Sequence, residues 1–250
     1  MSSYNLKRLL QPKSIALFGG LWIENVANQI KNSNFKGNVW PINPHRKSIA
    51  GYKCFQDISD LPGVPDTAFI GVNRTKTLEI LTKLNEVGCG GATCFAAGFS
   101  EVDKYGKQLQ KKLSKASKDM PFLGPNCYGY INYLDHIHMW PDQHGGKEVE
   151  KGVAIIAQSS NIAINLTMNT RSTPIAYVLT TGNQAKIDMS DLGLAMINDK
   201  RVTAIGIYIE GFKSNVDVQC SLKWNAGYNE DVYPYTNNIY QKDGGTHLLG

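Results

Sequence analysis

The apolar positions of this 250-residue chain follow two rhythms, and the change between them falls near Ser214–Val216. Before that point short apolar runs alternate with stretches of helical periodicity. Ser14–Phe18 (SIALF) ends in Gly19-Gly20 and leads into a helical stretch through Ile30. Asn38–Ile42 (NVWPI) runs into Asn43-Pro44, a strong turn signal. Thr67–Val72 (TAFIGV) precedes a helix from Thr75 to Val87, and Ala92–Ala96 precedes one from Lys104 to Lys115. Phe122-Leu123 opens onto Gly124-Pro125-Asn126. Strands alternating with such helices predict βαβ units around a parallel sheet, and an α/β fold class.

The polar, glycine-bearing stretch Asp142–Lys151 reads as a linker to a second series of the same kind. Gly152–Ala157 (GVAIIA) has the continuous apolar pattern of a strand buried on both faces. Gln158-Ser159-Ser160-Asn161 then opens an apolar helix, Ile175–Leu179 forms the next strand, and Thr181-Gly182-Asn183 follows it. A helix spans Ser190–Ile197, and Thr203–Ile209 is a third strand ending at Glu210-Gly211. Past the change of rhythm, Val216, Val218, Cys220, Leu222 and Trp224 occupy every second position, the pattern of a half-buried strand. That strand turns at Ala226-Gly227-Tyr228-Asn229 and continues through Asp231–Ile239, where Pro234 suits an edge.

Parallel sheets bind ligands at the carboxyl ends of their strands. Gly19-Gly20, Asn43-Pro44, Asn73-Arg74, Ala97-Gly98 and Pro125-Asn126 all fall there. A glycine pair between a strand and a helix suits a phosphate approaching the helix N-terminus, though a plain tight turn explains it as well and Ala27 stands where a third glycine could. At Gln158-Ser159-Ser160, two hydroxyls and free N–H groups converge where the helix dipole favours an anion; an ordinary serine cap is the alternative. Glu210 ends an apolar strand and reads equally as a functional acid or a surface terminus. Cys127 has no activating base positioned for it and reads as a buried structural thiol. His136, His138 and His144 lie near Asp135 and Asp142, but their irregular spacing reads as loop histidines, and no metal site is predicted.

Composition narrows the class further. Five cysteines (54, 89, 94, 127, 220) show no CxxC pairing, which predicts reduced thiols in a cytoplasmic protein. The N-terminus MSSYNLKRLLQPKS has no apolar core segment, and no run reaches the ~18 apolar residues of a membrane span, so a soluble chain with no membrane partner is expected. Net charge is +5: residues 216–250 contribute two lysines and four acids, leaving +7 upstream. A groove for an anionic cofactor accommodates that excess without invoking nucleic acid. The lysines of Lys104–Lys118 form the outer face of one amphipathic helix, with Leu109 and Leu113 inward.

Taken in order, LQPKSIALFGG, VWPINPHR, IAGYKCFQDISDLP, TAFIGVNR, ATCFAAGFSE, FLGPNCYGYIN, AIIAQSSNIA and TTGNQAKIDMSDLGLAMINDKRVTAIGIYIEG resemble the NDP-forming acyl-CoA synthetases, relatives of the succinyl-CoA synthetase α subunit. The resemblance implies a Rossmann-like, parallel-sheet CoA-binding domain over residues 1–145 and a flavodoxin-like α/β domain over 150–214, truncated relative to the family. It implies coenzyme A and a small carboxylic acid as ligands. ATP/ADP with Mg would be handled by an ATP-grasp module that these residues do not supply, on a further domain or a partner chain. By position, Gly19, Gly20, Asn43, Pro44, His45, Arg46, Val72, Asn73, Pro125 and Asn126 would line the CoA groove. Gln158, Ser159 and Ser160 would hold the phosphate of a phosphohistidine, and Glu210 would be the catalytic carboxylate that fixes its tautomer.

Three departures from the family are visible. Its Ser-Gln-Ser-Gly is here Ala157-Gln158-Ser159-Ser160, and His45 stands where a lysine is common. The phosphohistidine segment should lie beyond Glu210, where the sequence has already switched. The expectation is the CoA-binding portion of an acid–CoA ligase that cannot complete turnover alone; a non-catalytic CoA-binding module is the alternative. Residues 216–250, through KWNAGYNEDVYPYTNNI and QKDGGTHLLG, resemble the start of the DNA gyrase B transducer domain. They imply a chimeric chain ending in a short β-hairpin segment. A gyrase-type ATPase is the third and weakest function, because the family's nucleotide-binding motifs are missing from these residues.

Overall fold

The computed structural model describes residues 4–169 and 173–211, with the backbone of 235–236 and 239–240. In chain order the first series is α1 (Lys7–Leu10), β1 (Ser14–Gly19), α2 (Leu21–Asn32), β2 (Asn38–Ile42), the two-residue strands β3 (Ser48–Ile49) and β4 (Tyr52–Lys53), β5 (Thr67–Gly71), α3 (Arg74–Glu86), β6 (Ala92–Cys94), α4 (Lys104–Ala116) and β7 (Phe122–Leu123). Ile15, Ala16 and Leu17 are fully buried, which is why an unbroken apolar run forms the sheet's interior. β1 pairs in parallel with β2 on one side and β5 on the other, and the order is β2-β1-β5-β6-β7. On α2, Ile23, Val26, Ala27 and Ile30 repeat at helical spacing and all face the core. Asn73 and Asp103 start α3 and α4 by accepting backbone N–H groups of Lys76 (3.0 Å) and Gly106 (2.6 Å). α4 buries Leu109 and Leu113 and turns its lysines outward, as its sequence predicts.

A second sheet is built from β8 (Tyr130–Asn132), β9 (Ile137–Met139), β10 (Gly152–Ala157), β11 (Ile175–Thr180) and β12 (Val202–Tyr208), with α5 (Ser160–Thr167) and α6 (Met189–Asn198) between the last three strands. Its order is β12-β10-β11-β8-β9. β10, β11 and β12 are parallel as expected, whereas β8 lies antiparallel against β11 and forms a hairpin with β9.

That hairpin corrects the placement of the histidines in a loop. His138 is a strand residue 5% exposed, and His136 sits in the connection with φ +58°; only His144 lies in irregular chain. Strands of three residues are too short to show alternation. Their turn is made by the Asn132 side chain, whose Oδ1 accepts the N–H groups of Leu134 (3.0 Å) and Asp135 (3.1 Å).

The N-terminal segment is anchored on this second sheet. Tyr130 donates its hydroxyl to the Leu9 carbonyl, and Asn132 Nδ2 donates to Leu10 O at 3.1 Å. Arg201 closes the hairpin end by reaching Asp135 (2.7 Å) and Asp199 (2.9 Å), while the Tyr177 hydroxyl donates to Asp199 at 2.9 Å. Cys127 is buried, its Sγ donates to Thr180 O at 3.1 Å, and burial pushes the thiol up to about 11, so it is a structural group. Residues 212–250 form a separate unit, in which β13 (Tyr235–Thr236) pairs antiparallel with β14 (Ile239–Tyr240). The alternating run from Val216 and its turn lie outside the described residues. Among those described, no helix is long and apolar enough to cross a membrane.

Candidate functional site

Gly19 and Gly20 end β1 with unusual backbone geometry, and each does a different job. Gly19 has φ +141°, and a Cβ there would stand 2.6 Å from the Gly71 carbonyl oxygen on β5. Around Gly20 a Cβ would meet nothing within 4 Å, so the chain at the N-terminus of α2 is open to an incoming group. The Asn43 side chain joins this turn to the next. Its Nδ2 donates to Gly19 O at 2.7 Å, and its Oδ1 accepts from the His45 N–H at 2.9 Å.

A cavity of about 480 Å³ opens at these carboxyl ends, between β1, β2 and β5. Gly19, Gly20, Asn43, Pro44, His45, Val72 and Asn73 line it, so seven of the sequence-derived positions meet in one place. Ile42 and Ile80 supply apolar wall, and Lys76 is a cation on its rim that the sequence analysis did not single out. Lys83 also reaches the cavity but is engaged by Asp57 (3.3 Å) and Glu79 (3.6 Å).

Arg46 is placed otherwise. It forms a two-pronged contact with Glu24 in the first turn of α2 (2.7 and 3.3 Å) and is not part of the cavity wall. That hydrogen bond holds the Glu24 carboxyl below its usual range. Pro125 and Asn126 lie at the end of β7, apart from the cavity lining. Asn126, with φ +56°, donates its N–H to Ala96 O at 2.9 Å. The same turn is stitched to the loop after β11: Asn183 N–H reaches Pro125 O at 2.9 Å, and Gly182 packs where a Cβ would stand 2.4 Å from that oxygen. Glu101, another residue the sequence analysis did not select, completes the seam by accepting from the Gly98 N–H (2.6 Å) and the Asn183 amide. Burial alone would raise its carboxyl, but Asn183 and the N–H groups of Gly98 and Phe99 outweigh it and hold the group below its usual range.

In the second series, Gln158, Ser159 and Ser160 occupy the end of β10 and the start of α5. The Gln158 amide is committed to the end of β12: its oxygen accepts the N–H groups of Glu210 and Gly211, and its nitrogen donates to Gly211 O at 2.7 Å. Ser159 is the N-cap residue, yet its hydroxyl makes no capping bond. Glu210 is exposed just past β12, with its backbone held by Gln158. Gln158 therefore sets the spacing between the serine turn and Glu210. Among the described residues no group of three or more His, Cys, Asp or Glu side chains is arranged to hold a metal ion.

An open glycine turn and an apolar-walled cavity lie at the strand ends of the first βα series, and a second series follows it. Residues 13–133 match the CoA binding domain family, and residues 150–220 match the succinyl-CoA ligase like flavodoxin domain. A trans-feruloyl-CoA synthase from an unidentified prokaryote is 28% identical over 85% of this chain and 32% of its own length. The ADP-forming acetate–CoA ligase of Methanocaldococcus jannaschii is 32% identical over 84% of the chain and 30% of its own. The chain thus spans about a third of the length of these curated relatives. The dinucleotide-forming acetyl-coenzyme A synthetase 1 of Ca. Korarchaeum cryptofilum, solved with phosphate and ADP, superposes with a TM-score of 0.76 at 30% identity, over 84% of this chain and 47% of that one. Separately, 45 residues (18% of the chain) are 49% identical to the DNA gyrase B protein of Clostridium acetobutylicum, covering 7% of that protein. A match that short carries no activity.

Proposed function

We propose that this chain supplies the CoA-binding and phosphate-loop portion of an NDP-forming acyl-CoA synthetase, which joins a carboxylic acid to CoA at the expense of ATP. The observation that carries this reading is the cavity of about 480 Å³ at the ends of β1, β2 and β5, lined by the turns Gly19-Gly20 and Asn43-Pro44-His45. The apolar wall of Ile42, Pro44, Val72 and Ile80 suits the adenine, and the open backbone at Gly20, at the N-terminus of α2, suits the pyrophosphate. In the reaction, ATP phosphorylates a histidine, the phosphoryl group passes to the acid, and the CoA sulfur displaces phosphate from the acyl phosphate to leave a thioester. Ser159 and Ser160 at the start of α5 would hold the phosphohistidine's phosphate, and Glu210 would orient its ring. Neither the phosphoryl-accepting histidine nor the ATP-grasp module with its Mg-nucleotide is assigned to the described residues; both belong to the remainder of the enzyme or to a partner chain.

Calorimetry of the chain with CoA tests this. Saturable binding is expected, and Asn43→Ala should weaken it about 5- to 20-fold, or 1–2 kcal/mol, by releasing the two turns from each other. Absence of saturation at about 1 mM CoA, where even a weak specific complex gains ~4 kcal/mol, would overturn it.

A further inference from the structure

Relatives of this chain act on acids of different kinds, so relationship leaves the acyl group open. A row of aromatic rings across the ligand edge of the first sheet narrows it. Trp22, two residues past Gly20, meets Phe95, just past β6, with ring centroids 4.8 Å apart and planes tilted at 46°. Phe95 in turn meets Tyr128, just past the Pro125-Asn126 turn, at 5.5 Å, and Tyr128 meets the fully buried Trp140 at 5.4 Å. Phe69 supports Phe95 from the core at 5.8 Å.

The inner end of the row is ordinary core, but the outer end is not. Trp22 is 42% exposed and its neighbour Leu21 is 71% exposed, while Phe95 and Tyr128 are half-buried. A tryptophan fixed from beneath by one ring and open to solvent elsewhere is a preformed platform, and ordering it for a ligand costs little side-chain entropy. Its position is selective too. The cavity that suits the nucleotide lies over β2, β1 and β5, and the row runs the other way from the shared glycine turn, over the ends of β6 and β7. On that side the turn 124–126 meets the loop 180–185 of the second series. A CoA seated with its nucleotide in the cavity would have this row open to its thiol end.

We propose that Trp22, Phe95 and Tyr128 form the acyl subsite and that the acid is aromatic: an aryl or arylalkyl carboxylic acid whose ring lies against Trp22. The inference rests on the CoA-binding reading above, and the test separates the two. The dissociation constants of CoA, acetyl-CoA and phenylacetyl-CoA are measured by calorimetry on the whole chain and on Trp22→Ala and Trp22→Phe. The ratio of the acetyl-CoA constant to the phenylacetyl-CoA constant is expected to be about tenfold or more, since a buried ring gains both area and ring–ring contact. Trp22→Ala should bring the ratio to within about twofold of unity, and Trp22→Phe should keep most of it. A ratio near one in the unaltered chain overturns the aromatic subsite while leaving CoA binding intact. So does a ratio that Trp22→Ala leaves unchanged because every ligand weakens together, which would put Trp22 against the nucleotide. No binding of any of the three ligands overturns the CoA reading itself, and the subsite with it.

Discussion

Gly19→Ala should destabilise the protein by about 2–4 kcal/mol and weaken CoA by at least tenfold, whereas Gly20→Ala, which meets no neighbouring atom, should cost clearly less stability than Gly19→Ala. The contrast follows from what surrounds each residue. At Gly19 the backbone lies at φ +141°, and a methyl group would meet the Gly71 carbonyl at 2.6 Å. Gly71 is its register partner on β5, so neither strand can yield without breaking the central pairing of the sheet. Displacing Gly19 also moves the oxygen that Asn43 holds, and with it the Asn43-Pro44-His45 wall. Gly20 has open space where a methyl would go, so no neighbouring atom opposes its replacement. Any loss of CoA affinity there measures how closely the ligand approaches the backbone. Urea unfolding of both variants, paired with CoA calorimetry at a temperature where each is folded, provides the check. Equal stability of Gly19→Ala and the parent chain would contradict the steric account.

Lowering the pH from 7 to 5 should remove about 2 kcal/mol of stability through His138 alone, at ~1.4 kcal/mol per pH unit once below 6.5. The ring is 5% exposed, its Nε2 has no hydrogen-bond partner, and His144 crosses it edge-on at 4.7 Å. Burial, reinforced by His144 and His136, pushes His138 down to about 3, and burial lowers His144 as well. Tyr133 faces both rings and holds His144 Nδ1 at 3.0 Å. Glu148, 3.9 Å from His138 Nε2, is 44% exposed and too well solvated to offset the burial. A histidine in an unfolded chain takes up a proton near pH 6.5, and the folded one does so only near 3, so the contribution is complete above 6.5 and is lost as pH falls through that window. Carboxylates act lower down. Asp199, held below its usual range by the Arg201 guanidinium, gives up its contribution only below about pH 4. Denaturant midpoints at pH 7, 6 and 5 should therefore fall steadily, and His138→Leu should flatten the slope. A parent chain equally stable at all three values would refute the assignment.

The two βα series were legible because their strands and helices are long enough to show period and are punctuated by glycine and proline. Residues that reach the cavity through backbone turns were legible for the same reason: Gly19-Gly20 and Asn43-Pro44 are contiguous, and a strand end places them. What stayed hidden depends on partners distant in sequence. Arg46 belongs to a turn that lines the cavity, yet the rotation of α2 presents Glu24 to it, and no local pattern encodes that. Gln158 follows β10 as expected, but its amide is spent on the end of β12, a strand reached only after two further crossovers. The Trp22–Phe95–Tyr128 row exists only because β1, β6 and β7 end on the same edge of one sheet. His138 reads as a loop residue in sequence because its three-residue strand pairs with β8, which joins the sheet only through β11 much later in the chain.

The hairpin of residues 130–139 precedes the linker but hydrogen-bonds through β8 with β11, which follows it. Severing the gene at residues 142–151 would therefore not yield two self-sufficient pieces. The upstream piece would carry Ile131 on β8 and Tyr133 in the turn after it, both buried in the intact chain, with no sheet to cover them. In the downstream piece β11 would become a bare edge over Tyr177–Leu179, an invitation to strand addition between copies. Expressed together, the same two pieces would have in that hairpin a ready means of complementation, each recovering its fold by recapturing the other.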